Sequence, residues 1–287
     1  MKNKDVVQKL LDFHPQFPAD YDGCDDYKCG NPEDECKGIA TALTPTVDVI
    51  RKTYELGCNL LIVHEPTFYS TPDFPTWRSK EPNKIYEEKK QLLADLGITI
   101  WRDHDHMHAH KPDCIFAGVE KYLGWAEYRT SFDGDWPMAH CYKIPEITVA
   151  GLAKELKEKI GLNGLRVIGE PDAIISKVAI VGHLLPQLVL EDGLDEDGYW
   201  FEYSTKVMNL LDKGADAIIP GEVIDWTAFS YIRDAVMLGK NKAAFNIGHF
   251  GMEELGMKYA AEYISDLVEN QVPVHYIPSG DMYRFDM

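Results

Sequence analysis

The chain has 287 residues, 45% of them hydrophobic and 26% charged, and a formal net charge of −18. That length suits one large domain or two ordinary ones with their own cores. The negative field repels phosphate backbones and disfavours nucleic-acid binding, and no apolar run is long enough to span a bilayer.

Residues 1–5 lead into an amphipathic pattern rather than a signal-peptide core, with Val6, Val7, Leu10, Leu11 and Phe13 fitting a first helix. Residues 14–36 read as loop, rich in Pro, Asp, Gly and Cys. Ile39–Leu43 reads as a strand, Thr46–Leu56 as a helix stopped at Gly57, and Leu60–Val63 as a strand buried on both faces. A Pro-rich excursion at 70–82 precedes a helix ending near Leu96 at Gly97, a strand at 98–101, a histidine tract and a helix from about Cys114 to Leu123. Residues 126–145 look irregular and aromatic. Thr148 caps a helix carrying Leu152, Leu156 and Ile160 on one face and ending at Gly161. Val178–Val181 is an apolar strand, and Asp195-Glu196-Asp197-Gly198 reads as a solvated turn, lacking EF-hand ligand spacing. Helices near 204–213, 225–238 and 252–269 then alternate with strands at 216–219 and 243–247.

Such alternation predicts an α/β fold with mainly parallel or mixed sheets. A repeat divides it. Residues 55–65 align with 212–222 when Gly57 is placed on Gly214, and His104-x-x-x-His108 aligns with His249-x-x-x-Glu253. The reading is therefore two similar α/β units, an N-terminal one over 1–125 and a C-terminal one over 178–287, joined by a connecting region over 126–177, with a metal site between them.

Metal-type side chains gather after four strands: His64 and Glu65; the tract Asp103-His104-Asp105-His106-Met107-His108-Ala109-His110; Glu222; and His249 with Glu253. Functional groups in open α/β sheets collect beyond the carboxyl ends of strands. Imidazole and carboxylate are ligands of divalent transition metals, and a spacing of four lets two side chains of one helix hold one ion. Each element alone has a blander reading: a polar loop rich in histidine, or a Glu253 that only favours the positive end of a helix. On a helix, His106 and His110 point away from His104 and His108, which makes them solvated surface. His14, His140, His183 and His275 lack a ligand partner nearby in sequence and read as structural. Cys24, Cys29, Cys36, Cys58, Cys114 and Cys141 include no Cys-x-x-Cys pair, so a reducing cytoplasm is the simplest compartment. Nucleotide-binding glycine motifs and the Gly-x-Ser-x-Gly elbow are absent.

Leu61-Ile62-Val63-His64-Glu65-Pro66, His104–His108, Gly248-His249-Phe250-Gly251-Met252-Glu253 and Ala215–Glu222 together resemble, in order, the motifs of the NIF-three-like dinuclear-metal-centre family, the type 2 relatives of GTP cyclohydrolase I. The resemblance implies two divalent ions, with zinc, iron or manganese as candidates, on His64, Glu65, His108, His249 and Glu253. Glu65 stands where the family has histidine and His108 where it has aspartate, so the formal charge of the set is kept. The resemblance also implies a homo-oligomer, often a hexameric ring. Two such ions could polarise a substrate oxygen and activate water, so the first functional reading is a metal-dependent hydrolase acting on an unidentified small molecule. Glu222 and His104 are candidates for moving protons. A non-enzymatic metal-handling or regulatory protein with a closed site, or a purely structural centre, would use the same ligands.

Overall fold

Leu60-Leu61-Ile62-Val63 has no polar side chain to turn towards water, and in the computed structural model it is a strand with every residue buried. The structure describes residues 1–70, 73, 83–184, 193–194, 200–201 and 203–285. The acidic turn at 195–198 and nearly all of the Pro-rich excursion lie outside these residues. In chain order the elements are α1 (Asn3–Phe13), β1 (Asp26–Cys29), β2 (Ile39–Ala42), α2 (Val47–Glu55), β3 (Leu60–Val63), α3 (Lys84–Leu96), β4 (Thr99–Arg102), α4 (Asp105–Ala109), α5 (Cys114–Leu123), β5 (Arg129–Thr130), β6 (His140–Thr148), α6 (Val149–Ile160), β7 (Arg166–Ile168), β8 (Ile174–Ile180), β9 (Gly193–Leu194), β10 (Trp200–Phe201), α7 (Tyr203–Asp212), β11 (Ala217–Ile219), α8 (Ala228–Met237), β12 (Ala243–Asn246), α9 (Gly248–Leu267) and β13 (Val274–Tyr276).

The chain forms two compact units, Met1–Val119 with Glu253–Gly280, and Glu120–Met252 with Asp281–Met287. The first holds a sheet ordered β1-β4-β3-β2-β13, in which β1 is antiparallel and the rest run parallel. The second holds a sheet ordered β5-β6-β8-β11-β12-β7, with β8, β11 and β12 parallel and the other pairings antiparallel. Read from its antiparallel edge, each sheet repeats one motif: β1, β4, β3, β2 in the first and β7, β12, β11, β8 in the second. This is the sequence repeat, β3 on β11 and β4 on β12. The units differ beyond that motif, where β13 joins β2 in parallel and β6 joins β8 antiparallel.

The capping residues act as their chemistry requires. Thr46 and Thr148 accept the backbone N–H of Val49 and Gly151, and Gly97 and Gly161 end α3 and α6 in the left-handed conformation. Two sequence expectations need correction. The stretch 14–36 contains β1, and 126–145 contains β5 and most of β6. Both strands have too few alternating apolar residues to show themselves locally; each is fixed by pairing, β1 along β4 and β6 along β8. Among the described residues no helix is long and apolar enough to cross a membrane.

Candidate metal centre

A tract of alternating histidine and aspartate has little reason of its own to be helical. Asp25 supplies one. Its neighbour Asp26 pairs with Arg102 in the β1–β4 ladder, which brings the buried Asp25 carboxylate to the start of α4. Oδ1 accepts the backbone N–H groups of His104 (2.7 Å) and Asp105 (3.0 Å); Oδ2 accepts the backbone N–H of His106 (2.8 Å) and its Nδ1–H (2.6 Å). The carboxylate thus satisfies the N–H groups a helix start leaves unpaired. Burial opposes its charge, but these bonds hold its pKa below the ordinary value. Burial likewise opposes a charged His106, and Asp25 overcomes it, raising the imidazole pKa. His106 is therefore a buried partner of Asp25 and not solvated surface. His110 is packed too, stacked on Phe13 with ring centroids 4.4 Å apart and with Nδ1 3.3 Å from His14 Nδ1. His106 is thus interior, and His110, at the C-cap of α4, is half-buried against Phe13 and His14.

His64 follows β3, and His104 and His108 follow β4. Their ring centroids lie 4.4 Å (64–104), 4.9 Å (64–108) and 4.9 Å (104–108) apart. Each ring has an oxygen acceptor at Nδ1. His64 Nδ1 is 3.1 Å from the Asp103 carbonyl, His104 Nδ1 2.7 Å from Asp105, and His108 Nδ1 2.8 Å from Asp113. A carbonyl or carboxylate only accepts, so Nδ1 carries the proton in each case and Nε2 keeps the lone pair. One ring nitrogen from each of the three lies within 4.8 Å of the others.

His64 shows what this arrangement asks for. It is completely buried, and its Nε2 has no hydrogen-bond partner. Burial, then the neighbouring His104, push its pKa well below that of free imidazole, so the ring is neutral. Its Nε2 lone pair faces the Glu253 carboxylate at 3.5 Å. A lone pair, a carboxylate and two further imidazoles in one place repel unless a cation lies among them. The donor set fits a divalent transition metal, and oxygen acceptors behind each ring are what orients metal-ligating histidines. The supports are themselves fixed. Asp105 also accepts Tyr21 Oη–H (2.6 Å) and the Cys24 N–H (3.3 Å), and its pKa is lowered, first by His104. The second oxygen of Asp113 accepts the N–H groups of Ile115 and Phe116 at the start of α5.

Glu253 is buried on α9, where the helix meets α5 backbone to backbone. A Cβ at Gly256 would stand 2.6 Å from Ile115 Cα, and one at Gly118 would stand 2.7 Å from Gly256 Cα. Glycine at both positions permits the approach. Glu65 follows His64, and its Oε2 lies 4.0 Å from the buried Arg102 guanidinium, whose Nε donates to the His64 carbonyl at 2.9 Å. Glu65 also adds to the negative field that, with Asp113 and Glu253, raises the His108 pKa against the opposing effect of burial.

In the second unit three residues follow the ends of adjacent parallel strands: His183 after β8, Glu222 after β11 and His249 after β12. Glu222 Oε2 lies 3.3 Å from His249 Nδ1, and the rings of His249 and His183 are 4.2 Å apart. His249 and Glu253 are four residues apart on α9 and share a face. Sequence reading missed Asp25, Asp113, Arg102 and His183 as parts of this constellation. Asp113 alone had a local signal, as an N-cap residue ahead of a helix with a histidine five residues before it.

Residues 1–183 match the Duf34/NIF3 (NGG1p interacting factor 3) family. A Clostridium acetobutylicum protein named GTP cyclohydrolase 1 type 2 homolog is 26% identical over 260 residues, covering 88% of this chain and 85% of its own length. Its Clostridium perfringens namesake is 24% identical over 278 residues, covering 95% and 94%. The crystal structure of a Bacillus cereus protein related to NIF3 superposes with a TM-score of 0.69 at 14% identity, covering 100% of this chain and 99% of that one, and so shares the fold.

Proposed function

Because the chain belongs to the Duf34/NIF3 family, we propose that its histidine–carboxylate cluster is a dinuclear metal centre and that the protein is a metal-dependent hydrolase. The proposed ligands are His64, Glu65, His108, His249 and Glu253, joined by His104, with zinc, iron or manganese as the ions. Four of the five family positions lie in the first unit, and His249 sits one turn before Glu253 on α9. The observation that carries the proposal is the convergence of three imidazoles whose Nδ1 atoms are all engaged, around a buried His64 Nε2 with no hydrogen-bond partner.

Two divalent ions bound there supply Lewis acidity and lower the pKa of water towards neutrality. The chain's own groups do the positioning. Asp105, Asp113 and Glu222 hold the tautomers of His104, His108 and His249. That engagement favours His104 as a ligand over a proton carrier, and Glu222 as the group that orients His249. A nucleotide-like ring, an amide or a phosphoester suits such a centre, and the relatives' name makes GTP the first substrate to try. The complete burial of His64 favours a second reading, a closed site in a metal-handling or regulatory protein.

Elemental analysis of the purified protein, paired with a substrate screen with and without chelator, separates the two. Chelator-sensitive turnover that is lost in His249→Ala identifies the hydrolase. Tight metal with no turnover identifies the binding protein, and absence of bound metal refutes both. Unchanged metal stoichiometry in Glu65→Ala would remove Glu65 from the set. A homo-oligomer, as a hexameric ring, belongs to the same proposal; light scattering that finds only monomer refutes it.

A further inference from the structure

At the far end of α4 from His104, three further ligand-type side chains meet at helix ends of the first unit. They are His14 at the C-cap of α1, His110 at the C-cap of α4 and Cys114 at the first residue of α5. Each offers a ligand atom within 4.8 Å of the other two. The imidazoles face each other through their Nδ1 atoms, 3.3 Å apart. Two nitrogens on one tetrahedral zinc, each at about 2.0–2.1 Å from it, are separated by about 3.3 Å. Cys114 is a free thiol, and thiolate beside imidazole is a donor set that selects zinc over magnesium or calcium.

The support behind His14 is that of a metal-bound histidine. His14 is buried, and its second nitrogen, Nε2, lies 3.3 Å from Asp103 Oδ2. Asp103 is buried as well, and neither of its carboxylate oxygens nor His14 Nε2 makes a well-formed hydrogen bond. Facing a carboxylate, Nε2 is the nitrogen that carries the proton, which leaves the Nδ1 lone pair directed at His110. One proton shared between the two rings can satisfy that lone pair, but it brings no charge to balance the buried Asp103. A divalent ion on Nδ1 does, by fixing the N–H on Nε2 and polarising it towards the carboxylate. Phe13 supplies an apolar wall, stacked on His110 at 4.4 Å and on Tyr263 at 5.0 Å.

We infer that His14, His110 and Cys114 hold a zinc ion of their own, apart from the histidine–carboxylate centre, with Asp103 as the carboxylate behind His14. Binding exchanges the Cys114 thiol proton for the metal and moves the proton between the rings to His110 Nε2, so one proton is released per ion. Three protein ligands leave one tetrahedral position for water. The ion ties together the ends of α1, α4 and α5. Asp103 then serves both sites, holding His64 through its carbonyl and His14 through its carboxylate. The two sites share no ligand, so this inference does not depend on the first centre binding metal.

The test titrates the full chain, its thiols reduced, with cobalt(II), which reports a thiolate ligand by a sulfur-to-metal charge-transfer band in the near ultraviolet. The proposed ligands of the histidine–carboxylate centre include no sulfur, so that centre is silent in this band. Wild type is expected to show the band, and excess zinc to remove it. Cys114→Ser is expected to abolish the band and to lower the zinc content, by elemental analysis, by one ion. His110→Ala is expected to weaken cobalt at this site by more than about a hundredfold, and Asp103→Asn by about 10–100-fold with the band kept. Cys24 lies near His104 and Asp105, so Cys24→Ser is the control and is expected to keep the band. Cobalt uptake without the band, a band that survives Cys114→Ser or a band that needs Cys24 overturns the inference and leaves the first centre standing. No uptake of cobalt or zinc overturns it as well. Should Cys114→Ser fail to fold, an unchanged cobalt affinity in His110→Ala and Asp103→Asn, followed through the same band, overturns it independently.

Discussion

Replacing Asp25 with asparagine keeps the side chain's shape and removes half of its accepting capacity. Each carboxylate oxygen now takes two N–H groups, from His104 and Asp105 on Oδ1 and from the backbone and ring of His106 on Oδ2. Whichever way the new amide turns, its NH2 faces two buried donors. An unsatisfied buried donor costs about 1–3 kcal/mol, so Asp25→Asn is expected to lose roughly 2–6 kcal/mol of stability to urea. The effect has a pH signature. Asp25 has a lowered pKa in the folded protein, so its contribution is present above the ordinary carboxylate pKa and is lost as pH falls through the folded value. The gap between wild type and variant should therefore close in acid. Function should fall with stability, because α4 carries His108 and has His104 as its N-cap. Supports of this kind typically change metal affinity by about 10–100-fold, readable by zinc competition against a chelator. A variant within about 0.5 kcal/mol of wild type, with unchanged zinc affinity, would refute the view that Asp25 builds the histidine corner.

Asp113→Ala removes the acceptor behind His108 and the cap of α5 together; zinc affinity is expected to fall about 10–100-fold, with about 1 kcal/mol of stability lost. Burial pushes the Glu254 carboxyl up to about 7, although Tyr276 and Ser279 donate to it. The folded state then binds more protons than the unfolded one between the ordinary glutamate pKa and about 7, so stability falls as pH rises through that window. Glu254→Gln should flatten the fall and exceed wild type at pH 8 by about 1–3 kcal/mol in urea titrations. Gly256→Ala forces α9 from α5; about 1–3 kcal/mol of destabilisation is expected, and wild-type thermal stability would show that the helices have slack.

The elements with a strong local signal were legible in the chain. The apolar strands β3, β4, β11 and β12 and the threonine and glycine helix ends follow from periodicity and capping chemistry, and the repeat located the strand ends that carry His64, His104, Glu222 and His249. The residues that make the site work were not legible, because their roles are set by pairing across distance. Asp25 lies seventy-nine positions before the N–H group of His104 that it accepts. Arg102 reads as the end of a strand until burial places it against the His64 carbonyl. His183 has no metal-type neighbour in sequence, and only the register of β8 beside β11 sets its Nδ1 against Glu222. His106 was misjudged for a related reason: helical spacing gives the direction of a side chain, and the fold decides whether that direction meets water.

The first unit is closed by a segment far along the chain, Glu253–Gly280. Its strand β2 pairs with β3 on one side and on the other with β13, which spans Val274–Tyr276. During synthesis, residues 39–42 therefore emerge with one set of backbone N–H and C=O groups unmatched, and they stay so until residues 274–276 have left the ribosome. All four are buried in the finished protein, so the nascent intermediate exposes an apolar edge of the kind that invites pairing with another chain. A fragment stopping at residue 183 would keep that edge permanently, and would also lack the part of α9 that brings Glu253. Expression trials should therefore keep the chain through β13 and not stop within its N-terminal half.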